Sequence, residues 1–190
     1  SRSSAASDVY KRQKLMQSQE FYSLVKENFP FEPTLKQDIV LQQLSEFIFD
    51  TSPNSIYVLK GFAGTGKTTI IGTVVSNLWK AKKSAVLLAP TGRAAKVISN
   101  YSGNEAFTIH KKIYTARYSK NGSVSFVLAL NKHKKTLFIV DEASMISDLP
   151  SQAKLFGSGS VLDDLMQYVY SGHQCKLLLI GDTAQLPPVK

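Results

Sequence analysis

Apolar and polar positions alternate along the chain in two rhythms. From Glu20 to Asp50 the spacing is helical: Phe21, Leu24 and Val25 share one face, and Ile39, Leu41, Leu44, Phe47 and Ile48 supply another. Pro30 and Pro33 divide this stretch into two helices, and Thr34 is placed to cap the second. The rhythm then changes. Ser55–Lys60, Ala85–Ala89, Thr136–Val140 and Lys176–Ile180 are short, strongly apolar runs, the pattern of strands covered on both faces in a parallel sheet. Helical spacing fills the intervals near Lys67–Lys80, Gly92–Tyr101 and Ser160–Tyr170. Strands alternating with helices predict a doubly wound α/β domain, with a mostly parallel sheet and helices on both faces. Tyr114–Leu130 departs from the pattern. Asn121-Gly122 between β-prone flanks predicts a small hairpin inserted at the surface.

Residues 1–13, SRSSAASDVYKRQ, are poor in apolar side chains and show no period, so they are expected to be disordered. They resemble translated sequencing-adapter sequence. The expectation is a non-native leader, Met16 as the native start, and one domain over residues 14–190.

Composition narrows the class. The chain has 190 residues, 43% of them hydrophobic, enough for one domain with its own core. No apolar run approaches the ~20 residues that span a bilayer, and the N-terminus lacks the order of a signal peptide. Cys175 is the single cysteine, which excludes an internal disulfide and fits a reducing, cytoplasmic setting. Its position before an apolar run predicts a small buried hydrophobe. Net charge is +9, from 23 basic and 14 acidic residues; without residues 1–13 (three basic, one acidic) it is +7. A basic balance suits a polyanionic partner and equally suits a solubilised surface. The run Lys132-His133-Lys134-Lys135 reads as a solvated turn before a strand.

Two segments carry chemistry. Gly61-Phe62-Ala63-Gly64-Thr65-Gly66-Lys67-Thr68 fits GxxxxGK[ST], directly after a strand and before a helix. Glycines let the loop fold tightly, so that successive N–H groups converge on a phosphate at the positive end of the helix. Lys67 is expected to reach the β- and γ-phosphates of ATP, the Thr68 hydroxyl to ligate Mg2+, and Thr69 to complete the nucleotide contacts. The second segment, Phe138-Ile139-Val140-Asp141-Glu142, is an apolar strand ending in two carboxylates. In an open α/β sheet ligands sit at the carboxyl ends of strands. Asp141 is placed to hold the magnesium, and Glu142 to orient and polarise an attacking water.

In this setting the residues resemble superfamily 1 DNA helicases of the RecD-like and Dda-like branch, over roughly Phe31 to Val189. Thr34-Leu35-Lys36-Gln37 is similar to the family's adenine-reading motif, which implies that the Gln37 amide pairs with the base. Ala89-Pro90-Thr91-Gly92-Arg93-Ala94-Ala95 looks like motif Ia, and Thr108-Ile109-His110-Lys111-Lys112 like motif Ib. The resemblance implies that Thr91, Gly92, Arg93, Thr108 and His110 contact single-stranded DNA without reading its sequence. Asp141-Glu142-Ala143-Ser144-Met145 is similar to motif II. Gly181-Asp182-Thr183-Ala184-Gln185-Leu186-Pro187-Pro188-Val189 is similar to motif III, where Gln185 would sense the γ-phosphate. The implied fold is a RecA-like P-loop NTPase domain, with ATP and Mg2+ as cofactors and DNA as partner.

Helicases of this family bind ATP between two RecA-like domains, and the second supplies arginines that stabilise the transferring phosphoryl. None of those later motifs occurs here. The expectation is therefore one domain of a motor, lacking its second RecA-like domain in cis, that binds ATP and does not unwind alone. The alternatives are a catalytically silent nucleotide-binding module and a single-domain PhoH-like ATPase. The Thr-Gly-Arg-Ala-Ala match and Gln37 stand against the PhoH-like alternative.

Overall fold

A computed structural model describes residues 17–146 and 156–182. The predicted leader, Met16 and Gln185 lie outside the described residues. Helix α1 covers 17–27. It is followed by α2 (Leu35–Phe49), β1 (Ile56–Lys60), α3 (Lys67–Asn77), a 3-10 turn (Leu78–Ala81), β2 (Ser84–Ala89) and α4 (Gly92–Ser102). Then come β3 (Ala106–Thr108), α5 (Ile109–Ile113), β4 (Tyr114–Tyr118), β5 (Val124–Leu128), β6 (Thr136–Val140), a 3-10 turn (Ala143–Met145), α6 (Val161–Tyr170) and β7 (Lys176–Gly181). The main sheet has the order β1-β7-β6-β2-β3, and every pairing within it is parallel. β4 and β5 form the separate antiparallel hairpin expected around Asn121-Gly122.

Period-two alternation sorts the central strands onto two cores. Leu87, Leu137, Ile139, Leu178 and Ile180 face α1 to α4, packing on Phe21, Val25, Leu41, Leu44, Ile48, Ile71 and Val74. Val86, Leu88, Phe138, Val140 and Leu177 face α5 and α6, packing on Ile109, Ile113, Leu165 and Val169. Each fully buried Leu, Ile or Phe contributes roughly 1.5–3 kcal/mol of transfer free energy. Cys175 is buried on the second core, as its setting predicts.

Three expectations need correction. β1 is not covered on both faces. It is an edge strand paired only with β7; Tyr57 and Leu59 join the first core, whereas Val58, on the opposite face, is 48% exposed, and α6 meets the strand only at its start. Ile39 does not face the core. It is 55% exposed, because the buried stripe of α2 follows Leu41, Leu44 and Ile48, and Val40 packs at its margin instead. The interval Gly103–Ile113 also holds a three-residue strand and a short helix that the apolar pattern does not signal.

The N-terminal ends of four strands share an unusual backbone. Asn54, Lys82, Lys135 and Gln174 adopt left-handed φ values of 55°, 56°, 49° and 54°, just before β1, β2, β6 and β7 respectively. The conformation costs a side-chain-bearing residue about 1–2 kcal/mol. No helix among the described residues is long and apolar enough to cross a membrane.

Tyr170, in the last turn of α6, donates to the Ser55 carbonyl at 2.6 Å and ties that helix to the start of β1. Burial pushes its phenol up to about 12 from the ordinary 10.0. A raised folded-state value means that stability present below pH 10 is lost as pH rises toward 12. Tyr170→Phe should lower stability by ~1 kcal/mol at neutral pH. The margin between the two proteins should shrink steadily from about pH 10 upward, as read by urea unfolding across a pH series.

Candidate functional site

Because all strands of the main sheet run the same way, their carboxyl ends open on one rim. Across that rim lie, in order, the Gly61–Gly66 loop after β1, Gly181 and Asp182 at β7, Asp141 and Glu142 at β6, Thr91 to Arg93 after β2, and Thr108 to His110 at β3.

The loop is held by its own backbone. Gly61 N–H donates to the Gly181 carbonyl at 3.4 Å, Thr65 N–H to the Phe62 carbonyl at 3.4 Å, and the Thr65 hydroxyl to the same carbonyl at 2.8 Å. Gly64 and Gly66 have φ of 77° and 86°, where an L side chain is strained. Gly66 is the N-cap of α3 and offers no side-chain acceptor, so the first-turn N–H groups keep the positive end of the helix open to an anion. The Lys67 ammonium folds back over the loop, donating to the Gly61 carbonyl at 2.5 Å and the Phe62 carbonyl at 2.8 Å. Phe62, Ala63 and Thr68 are exposed at the crest, while the Thr69 carbonyl lies inside the helix and accepts from the Thr73 hydroxyl at 2.9 Å.

Gln37 connects α2 to this loop. Its Oε1 accepts from Thr34 N–H at 3.0 Å in a capping box, and its Nε2 donates to the Thr65 carbonyl at 3.2 Å. Both ends of the amide thus hold the protein together, and reading a base requires the second Nε2 hydrogen or an exchange of partners.

Asp141 continues β6, its N–H donating to the Leu88 carbonyl at 3.0 Å. Its Oδ1 accepts from Glu142 N–H at 2.9 Å, and its Oδ2 accepts from the Tyr101 hydroxyl at 3.0 Å. Burial, then the charge of Asp141, holds the Tyr101 phenol protonated well above the usual range. Glu142 has a left-handed backbone, φ 53°, and opens a 3-10 turn.

At the far side of the rim two threonines cap helices. Thr91 Oγ1 accepts from Ala94 N–H, and Thr108 Oγ1 from Lys111 N–H, both at 3.2 Å. Gly92 and Arg93 are exposed. The His110 ring meets Phe156 edge-on at 5.1 Å and Tyr114 at 5.6 Å, in a cluster where Phe126 and Phe156 stack at 4.5 Å. That cluster fastens the hairpin to α5.

Two polar contacts have no motif to announce them. Tyr101 reaches Asp141 across 40 residues of chain. Tyr114 donates to the buried Asp164 at 2.6 Å across 50. The only sequence trace of the first is a tyrosine in the last turn of the helix that begins at Gly92.

A family profile described as an AAA domain matches residues 45–190. The chain belongs to the AAA domain family. Among curated relatives within its reach, an uncharacterized protein of Methanocaldococcus jannaschii is 33% identical over 162 residues, covering 78% of this chain and 13% of the relative. The ATP-dependent RecD2 DNA helicase of Deinococcus radiodurans is 32% identical, covering 70% and 16%. The ATP-dependent DNA helicase dda of Enterobacteria phage T4 is 33% identical, covering 70% and 28%. The matched part of this AAA domain therefore spans between about an eighth and a quarter of each relative's length.

A methyl group at Gly66 would stand 2.5 Å from Gln37 Nε2, on a backbone already left-handed. Gly66→Ala should cost ~1–3 kcal/mol, from conformational strain plus the clash. Adding Gln37→Ala should recover the clash and leave the strain. A double-mutant cycle on unfolding free energy checks this, and strict additivity would place the two residues out of contact.

Proposed function

We propose that this chain is the ATP-binding and ATP-hydrolysing motor domain of an ATP-dependent DNA helicase, acting on single-stranded and double-stranded DNA. The observation that carries the reading is the order of groups on one rim: phosphate loop, paired carboxylates, then two capped helix N-termini on neighbouring strands. The names of the RecD2 and dda relatives support both the nucleotide and the DNA.

Triphosphate binding at the loop replaces the two carbonyls that Lys67 now contacts with β- and γ-phosphate oxygens. Charge-assisted bonds to phosphate are about twice as strong as bonds to neutral acceptors, so the exchange favours the ligand. Gly61 to Gly66 contribute N–H groups, and the exposed Phe62 and Ala63 border the phosphates.

The donor set at Thr68 and Asp141 fits magnesium. A hydroxyl and a carboxylate are hard oxygen donors, and each Asp141 oxygen accepts one hydrogen bond, from Tyr101 or from Glu142 N–H, and keeps a lone pair. An ion held there would take its remaining ligands from water and phosphate. When bound, the ion neutralises charge on the phosphates. Glu142 stands next to Asp141 with its backbone turned left-handed, and its carboxylate serves to orient the attacking water. Gln185 is assigned the γ-phosphate-sensing role from its motif. On the DNA side, Thr91, Gly92, Arg93, Thr108 and His110 hold backbone phosphates through helix N-termini and charge, without reading bases.

Lys67→Ala should weaken Mg-ATP binding roughly ten- to over a hundredfold, from loss of a ~1.5–3 kcal/mol contact. Titration calorimetry checks it, and equal affinities would reject the phosphate-loop assignment. Residues 1–190 alone should hydrolyse ATP very slowly and separate no strands, since arginines supplied from a second domain are worth ~10³–10⁵ in rate. In a protein that joins this domain to a second RecA-like domain, Glu142→Gln should keep ATP binding and lose turnover. For DNA, Arg93→Ala should lower single-strand affinity on every sequence alike and flatten the salt dependence by ~0.7 in log–log slope. Fluorescence anisotropy across a salt series reads both quantities.

A further inference from the structure

The opposite rim of the sheet holds a second basic feature. A cavity of about 760 Å³ lies against the N-terminal ends of β1, β2, β6 and β7, lined by Lys80, Lys82, Lys83, Lys135 and Lys176. The carboxylates lining it are Glu20 and Asp50, so five positive charges face two negative ones. Asp50 is already engaged, pairing with Lys176 at 3.5 Å and accepting from the Ser52 hydroxyl at 3.0 Å. Lys80, Lys82, Lys83 and Lys135 form no ion pair among the described residues. Burial first, then repulsion from Lys135 and Lys176, holds the Lys83 ammonium below its ordinary range.

These lysines come from separate segments, 80–83 and 135, and two of them, Lys82 and Lys135, sit on left-handed backbone. Like charges gathered at a concave surface repel each other, which favours a multivalent anion there. A flat apolar group stands outside the cavity, next to the Lys80 that lines it. Trp79, on the same 3-10 turn as Lys80, is 70% exposed, and Lys80 Nζ lies 5.9 Å from its ring centroid. Phosphate-binding cations beside an exposed indole are the two elements of a single-strand platform, in which backbone phosphates meet lysines and a base stacks on the ring. A free phosphate would leave the indole unused, and an acidic peptide would give it no base to stack on. β1 has five residues, so the two rims stand roughly 16 Å apart.

We propose that this cavity and Trp79 form a second contact site for single-stranded nucleic acid, on the rim opposite the phosphate loop. Lys80, Lys82, Lys83 and Lys135 hold backbone phosphates, and Trp79 carries a base. The site is independent of the motif-bearing rim, so either can fail without the other.

Trp79 is the chain's single tryptophan, and its emission reports on this rim alone. The 190-residue chain is titrated with an oligothymidylate while tryptophan emission and the anisotropy of a labelled oligonucleotide are followed. Emission should be quenched as binding saturates, and equally so in Arg93→Ala. In Lys80→Gln/Lys83→Gln/Lys135→Gln the quenching phase should weaken at least tenfold, and its log–log salt slope should flatten by about 2, from ~0.7 per phosphate contact. Trp79→Ala should weaken the same phase about tenfold by anisotropy. If the triple variant loses its native circular dichroism, Lys135→Gln alone should flatten the slope by ~0.7. The proposal is overturned if the oligonucleotide saturates without changing emission, or if quenching survives the lysine changes. It is equally overturned if inorganic pyrophosphate or poly-aspartate quenches as strongly at matched charge, which would make the cavity a simple anion site or an acidic-peptide site. Loss of all binding in Arg93→Ala would place the nucleic acid on the motif rim only.

Discussion

Everything in this domain depends on five strands running the same way, with the central ones covered on both faces. Covering both faces commits the middle of each central strand to apolar side chains: Phe138, Leu177 and Leu178 have essentially no exposure. Polar chemistry is then pushed to the strand ends. Parallel pairing makes those ends unlike one another, since every strand delivers its carboxyl end to one rim and its amino end to the other. The Val140–Leu179 and Lys60–Gly181 registers bring the carboxylates and the phosphate loop to one edge, with β7 between them. The second rim collects whatever precedes the strands, and before β2 and β6 that is lysine.

What the sequence makes legible follows from how local each feature is. The phosphate loop is readable because eight consecutive residues contain the turn, the anion-facing N–H groups and the lysine. The central strands are readable because burial on both faces writes an unbroken apolar run, as in Thr136–Val140. β1 reads the same way yet lies at an edge, because apolar content does not say how far a covering helix extends. β3 has three residues, too few to leave a period. Ile39 misleads because one apolar residue beside a helical stripe does not reveal its angle. The least legible features are long-range: Tyr101 on Asp141, Tyr114 on Asp164, and Lys135 beside Lys80 and Lys83. In sequence Lys135 belongs to a basic run that reads as a solvated turn, and only the fold sets it over a cavity.

The Tyr101–Asp141 hydrogen bond joins parts that the motifs treat separately. Helix α4 begins with Thr91, Gly92 and Arg93 on the proposed DNA side and ends with the tyrosine that contacts the proposed metal carboxylate. A rigid helix of 11 residues with one end at each place gives a mechanical link between them. A displacement of the N-terminal end by a bound strand would move a hydroxyl that orients Asp141. Gln37 does something similar from α2, since its amide ties a capping box to the phosphate loop.

Glu142 carries a bulky acidic side chain on a backbone that glycine or asparagine would occupy at lower cost. The proposed water-orienting role and the backbone therefore favour different residues at this one position, since glycine, which the backbone accepts at lower cost, carries no carboxylate to turn toward a water.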